Sequence, residues 1–284
     1  MAASPQTASR TLIIHLGGIG DFLLCCPAIA HLHTQGPVEL LGTRSRLELA
    51  VAFGIADAAH DADSVDFGSI FSTASDRLRD FLARFDRCIA WMRDDGTVAA
   101  RLRECGISDV RTFPGLPSQE FTGHVSEYYL KCIEVDRFET RTFKIDPFVT
   151  LRKTIIHPGS GGKCKNWPLD KFISIANILE SKGQEVVWCC GPAEEGMNLP
   201  EGHHAVRVES LVELARTLAG ATLYVGNDSG VTHLAAAVGC PTVAVFGPTD
   251  PERWAPCGPH VTVVQATPWP DEEVVLRAIN NYLS

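Results

Sequence analysis

The chain has 284 residues, 45% of them hydrophobic and 21% charged, with a formal net charge of −9. That length suits two domains of nucleotide-binding size or one large one, and the composition is that of a soluble globular protein. Residues 1–150 carry 15 basic against 20 acidic side chains, and residues 151–284 carry 10 against 14, so neither half has the basic excess that nucleic acid or an anionic membrane would select.

The opening MAASPQTASR lacks the apolar core of a signal peptide, and no apolar run approaches the roughly 20 residues of a membrane span, which together predict a cytoplasmic protein with no transmembrane segment. Residues 11–15 read as a short apolar strand. They feed Leu16-Gly17-Gly18-Ile19-Gly20-Asp21 and an apolar helix from Phe22 to about His33. Strand, glycine loop and helix open a nucleotide-type fold. Gly17, Gly18 and Gly20 form GGxG, short of the dinucleotide fingerprint, and Asp21 stands where a helix N-cap belongs. Pro27 should kink this helix. Strands are expected at residues 38–41 and 88–91, and helices at 46–53, 76–85, 98–104 and 124–134. Asp61-Ala62-Asp63 is a DxD string, but without a nucleotide-binding context it reads as a solvated loop rather than a metal site. Residues 137–152, with Pro147, lack periodicity and suit a linker between domains 1–150 and 151–284.

The second half opens on a strand at 154–157 that runs into Pro158-Gly159-Ser160-Gly161-Gly162-Lys163-Cys164-Lys165-Asn166-Trp167-Pro168. A glycine-rich loop with two lysines, set between a strand and the helix 168–181, has a phosphate-site composition without the Walker A spacing. A strand at 185–190 ends in Gly191-Pro192-Ala193-Glu194-Glu195. Ser210 and Glu213 form a capping box for the next helix. Residues 222–225 are a strand leading to the turn Gly226-Asn227-Asp228-Ser229-Gly230, a short alanine-rich helix, Gly239 as its stop and a strand at 242–246. A helix opening on Asp-Ser-Gly presents unpaired N–H groups that can hold a phosphate, although Asp228 could equally be a plain cap. An amphipathic helix at 271–282 closes the chain. The ten cysteines contain no CxxC pair and mostly sit in apolar runs, as buried free thiols would.

Residues 225–251, VGNDSGVTHLAAAVGCPTVAVFGPTDP, resemble the donor-site signature of glycosyltransferase family nine, the bacterial heptosyltransferases. Leu16 through Ile29 is similar to that family's L-G-x-x-G-D opening, and residues 157–168 resemble its H-P-G-S-x-x-K-x-x-W-P block. The resemblance implies the GT-B fold, two Rossmann-like domains facing across a cleft, with the last helix, 271–284, packing back toward the first half. It implies inverting, metal-independent transfer of a heptose from ADP-heptose to a hydroxyl of a bacterial glycan such as the lipopolysaccharide core. By position, Asp21 would be the general base behind an acceptor loop of Gly17, Gly18 and Gly20. Ser160, Lys165, Asp228, Ser229 and Gly230 would hold the donor diphosphate and Glu194 the ribose, with Lys163 and His233 in support. Lys163 and Glu195 stay open as alternatives to Lys165 and Glu194. The partners implied are an ADP-sugar and a glycan or glycolipid acceptor, with transient contact at the inner membrane surface and no metal cofactor. The cysteine spacing does not support the iron finger of the family's protein-glycosylating branch. The first half is shorter than usual for the family and lacks a basic excess, which leaves acceptor and donor sugar open. A nucleotide-sugar 2-epimerase of the same fold and a non-catalytic nucleotide-sugar binder are the rivals; an NAD-dependent enzyme would need a full GxGxxG.

Overall fold

Apolar runs of five residues become the inner strands of two parallel sheets in the computed structural model, which describes residues 9–137, 139–148, 150–191, 205–206, 208 and 210–283. The chain divides into two units, the first holding residues 1–18, 25–121 and 128–136, the second 19–24, 122–127 and 137–284. The main division therefore falls ahead of the expected linker. Its residues belong to the second unit because Phe143 N–H donates to Ala237 O and Leu151 N–H to Gly220 O, each at 2.7 Å.

The first half of the chain runs β1 (Thr11–His15), α1 (Ile19–His33), β2 (Val38–Gly42), α2 (Arg44–Ala52), β3 (Ala58–Asp61), α3 (Asp76–Leu82), β4 (Arg87–Trp91), α4 (Thr97–Glu104), β5 (Asp109–Phe113) and α5 (Val125–Cys132). Its strands lie in the order β3-β2-β1-β4-β5, all parallel. Every residue of β1 and β2 is buried, as a parallel strand covered on both faces requires. Leu12, Ile14, Leu41, Cys88 and Ala90 pack with Leu78 and Leu82 of α3 and Leu102 of α4. Two sequence expectations change, for the candidate base Asp21 and for the DxD string read as a solvated loop. α1 starts at Ile19, so Asp21 is its third residue, in the first turn, and not its N-cap. The DxD string is a strand end rather than an open loop: Asp61 closes β3, and its Oδ1 accepts from Asp63 N at 3.0 Å and Ser64 N at 3.4 Å.

The second half runs β6 (Lys153–His157), α6 (Leu169–Ser181), β7 (Glu185–Cys189), β8 (Ala205–Val206), α7 (Leu211–Ala219), β9 (Leu223–Asn227), α8 (Gly230–Ala237), β10 (Thr242–Phe246), α9 (Pro251–Trp254), β11 (Val261–Gln265) and α10 (Glu272–Leu283). The sheet order is β11-β10-β9-β6-β7-β8, again all parallel. The chain leaves β6 toward β7 and β8, then returns to build β9, β10 and β11 on the other side. Strand order thus reverses between β6 and β9, the place where open α/β sheets bind ligands. Ser210 Oγ accepts from Glu213 N at 3.1 Å and caps α7 as its sequence foretold. Val275, Ala278 and Ile279 of α10 join Ile156, Phe172 and Val243 in one core.

The ten cysteines are unpaired, and burial pushes the Cys25, Cys26 and Cys88 thiols well up. No helix among the described residues is long and apolar enough to cross a membrane.

Glu39 is the one charged residue of β2 and is 9% exposed. Its carboxylate accepts from Arg10, from His60 at 2.6 Å and from Arg84 at 2.9 Å. Burial alone would raise its pKa, but the His60 and Arg10 hydrogen bonds and the Arg84 charge outweigh it and hold the group below its ordinary value. A depressed folded pKa stabilises the native state above the unfolded pKa of about 4.3 and loses that stabilisation as pH falls through the folded one. Glu39→Gln should therefore cost about 1–2 kcal/mol at pH 7, with the deficit shrinking toward pH 3, measured by urea unfolding across pH.

Candidate functional site

Two loops leave the carboxyl ends of β6 and β9, which are neighbours in register with His157 opposite Gly226. The first loop runs from Pro158 to Pro168, with Lys163–Lys165 wound into one 3-10 turn. The second is only Asp228 and Ser229, because α8 begins at Gly230. A single side chain ties them together. Asn227, fully buried, donates from Nδ2 to Pro158 O at 2.7 Å and accepts at Oδ1 from Trp167 N at 2.8 Å.

That tie fixes both ends of the lysine loop, and Lys165 then reaches Asp228 with Nζ 2.9 Å from Oδ2. The lysine is 38% exposed and the carboxylate 6%, so the buried acid positions a cation that still faces solvent. Lys163 is exposed and has no ion-pair partner among the described residues, which separates the two candidate lysines by geometry. Ser160 is engaged within its own loop: its Oγ lies 2.6 Å from Asn166 Oδ1 and 2.7 Å from Gly162 O, and it accepts from Gly162 N at 3.2 Å.

Ser229, not Asp228, is the N-cap of α8. Its Oγ accepts from Thr232 N at 3.3 Å, leaving Asp228 free of the capping duty that its sequence position allowed. Thr232 in turn donates to Asn227 O, so the turn closes on itself. His233, one turn into α8, is 5% exposed; burial lowers its pKa to about 4, with Asp228 opposing the shift, and its ring is neutral at pH 7. Its Nδ1 has no hydrogen-bond partner among the described residues.

The first turn of α1 lies against the start of α8 within the second unit. A Cβ on Gly230 would come within 2.8 Å of Ile19 Cβ and 3.2 Å of Gly20 N, and one on Gly20 would meet the His233 ring at 3.2 Å. Glycine at both places permits this approach. Two helix N-termini and Lys165 thus gather positive potential in one place, which suits an anion with more than one charge. Asp21 rides on the same first turn of α1 and is half-buried. Gly17 and Gly18 stay in the loop after β1, where Gly17 O accepts from Arg46 Nη1 at 2.6 Å. Glu194 and Glu195 lie outside the described residues. No group of three or more metal-ligating side chains occurs among the described residues.

Sequence reasoning passed over Asn227. Its one available signal was its place directly before Asp228 at the end of a buried strand, where an amide can serve two backbones at once.

The family model for glycosyltransferase family 9 (heptosyltransferase) matches residues 119–282, more than half of the chain. Lipopolysaccharide heptosyltransferase 3 of Escherichia coli K12 is 31% identical over 112 residues, 36% of this chain and 33% of that relative, so the match spans about a third of the relative's length. Among solved structures, a family 9 glycosyltransferase from Veillonella parvula superposes with a TM-score of 0.78 at 16% identity, covering 99% of both chains. The E. coli ADP-heptose lipopolysaccharide heptosyltransferase II does so at 0.76 and 18% identity, covering 96% of this chain and 98% of that one. At these identities the likeness carries the fold, an α/β architecture of the GT-B class with two parallel-sheet units.

Removing the Asn227 amide would leave Pro158 O and Trp167 N buried without their partner. Asn227→Ala should cost about 2–4 kcal/mol in denaturant unfolding, since each such group costs roughly 1–3 kcal/mol. A loss below about 1 kcal/mol would mean that water replaces the amide and that the tie is weak.

Proposed function

The chain belongs to glycosyltransferase family 9 (heptosyltransferase), and on that premise we propose that it transfers a heptose from ADP-heptose to a hydroxyl of a bacterial glycan such as the lipopolysaccharide core. The observation that carries the reading is the Lys165–Asp228 pair beside the starts of α8 and α1, at the point where strand order reverses.

In this reading the diphosphate of the donor lies on the α8 N-terminus, beside the backbone N–H groups of its first turn. Lys165 stands opposite, held by Asp228, and neutralises charge as the leaving group departs. Asp228 itself repels phosphate, so its part is to aim the lysine, with Ser229 and Ser160 shaping the two loops. Neutral His233 supports the same turn. Asp21, on the adjoining helix start, takes the proton of the acceptor hydroxyl as that oxygen attacks the anomeric carbon. The new C–O bond forms opposite the breaking bond to the diphosphate, and ADP leaves with the electron pair, which inverts the anomeric centre. Lysine and two helix dipoles supply the electrostatic stabilisation, so no divalent metal is required. Glu194 would bind the ribose. Residues 1–150 would recognise the acceptor and 151–284 the donor, in the cytoplasm, with brief visits to the inner membrane if the acceptor is a glycolipid.

Transfer assays run in excess EDTA test this with two variants. Asp21→Asn should lower kcat by about 10²–10⁴-fold while leaving ADP affinity unchanged, because it removes a proton acceptor and keeps the shape. Its stability should fall by no more than about 1 kcal/mol, the worth of a carboxylate in a first helical turn. Lys165→Ala should weaken ADP binding about tenfold or more. Full activity per folded molecule in Asp21→Asn, or activity that EDTA abolishes and Mg²⁺ restores, would contradict the mechanism.

A further inference from the structure

A ligand-sized hollow lies in the first unit, at the carboxyl ends of β4 and β5. It has a volume of about 610 Å³, within the roughly 300–1,000 Å³ of small-molecule sites. Phe71 and Phe113 give it aromatic walls, Thr112 a hydroxyl, and Arg93, Asp94 and Asp95 a polar rim. None of these residues has a part in the donor site described above.

The walls are held from outside. Tyr128 Oη donates to Pro114 O at 2.7 Å and Tyr129 Oη to Gly115 O at 2.8 Å, fixing the chain that leaves β5. Phe71 packs edge-on against Phe67 and yet is 58% exposed, a large apolar ring kept at the surface with nothing in its own unit covering it. Asp94 is spent on structure: its two oxygens accept from the backbone N–H groups of Gly96, Val98 and Ala99 at 2.9–3.1 Å, which offsets its charge. Arg93 is exposed and has no partner among the described residues. Asp95 is exposed, and the hydrogen bonds from Thr97 hold it below the usual carboxylate range, so it is ionised at neutral pH.

One guanidinium and one carboxylate therefore face the hollow together, with little net charge between them. Carboxylates and guanidinium forks bind vicinal hydroxyls, one accepting and the other donating, and aromatic faces bind the C–H faces of a sugar ring. An acidic sugar or a phosphate would meet Asp95 and the acid-rich first half, with its 15 basic and 20 acidic residues. We infer that this pocket holds an uncharged pyranose of the acceptor glycan, through Phe71, Phe113, Arg93 and Asp95. The assignment to an acceptor rests on the glycosyl-transfer reading above; the assignment to a neutral sugar rests on the pocket itself.

Methionine methyl groups give a clean readout, because the chain has three methionines, Met1, Met92 and Met197, and Met92 lines the pocket. The full chain, labelled with ¹³C-methyl methionine, is titrated with methyl α-D-mannopyranoside and with its C6 carboxylic acid, the Met92 signal being assigned by Met92→Leu. The neutral glycoside should shift the Met92 methyl at lower concentration than the acid. Phe71→Ala, an exposed position where folding is not at stake, should weaken that titration about fivefold or more. Arg93→Ala should weaken it as well. No shift with either sugar, tighter binding of the acid, or an unchanged titration in Phe71→Ala would each overturn the inference. ADP calorimetry on the same samples keeps the two readings apart: failure to bind ADP would sink the donor assignment and leave the pocket result standing.

Discussion

The hydrogen bonds of Asn227 are the constraint on which the candidate site depends. One buried amide, at the last residue of a central strand, holds both ends of an eleven-residue glycine-rich loop. Without it the lysine loop would be an open segment rich in Gly and Ser, free to sample many shapes. With it, Lys165 has a fixed partner in Asp228, just ahead of the start of α8, while the cation still faces solvent. An exposed ion pair is worth little on its own. Here one member is buried, and in the proposed reading the pair presets where a positive charge stands for the donor diphosphate.

The two glycine contacts complete that arrangement. Gly20 and Gly230 let two helix starts touch, and a methyl group at either would force His233 or Ile19 aside. This close approach explains why α1 begins with glycine inside its first turn despite the low helix propensity of that residue. It also explains the position of Asp21. The carboxylate is carried on a helix whose first residues pack with α8, in the same unit as the diphosphate candidates.

How far the sequence could be read followed the depth of each element. β1 and β10 begin and end where their apolar runs do, and β2, β4, β6, β7 and β9 were each legible to within two residues. These are inner strands, buried on both faces, where burial writes a continuous apolar run. β3, β5 and β11 went unread, and all three are edge strands. Ala58–Asp61 and Asp109–Phe113 carry polar residues at half-exposed positions, and neither a period of two nor an apolar run survives there. In the site, the resemblance to the family's motifs put Lys165, with Lys163 as alternative, in one group with Asp228, Ser229 and Gly230. It did not tell that Ser229 caps α8 while Asp228 pairs with Lys165, because Asp and Ser are equally good caps and only the three-dimensional position of the lysine decides between them.

The claim that this corner of the second unit is built for a diphosphate, not merely for an anion or an adenosine, is tested most directly by calorimetric comparison of ADP with AMP on the full chain. In the proposed reading Lys165 and the start of α8 contact the second phosphate, and each charge-assisted contact is worth roughly 1.5–3 kcal/mol. ADP should therefore bind about tenfold or more tightly than AMP, with the advantage falling as salt rises. Equal affinities for the two nucleotides would contradict the assignment of Lys165 and the α8 start to the second phosphate.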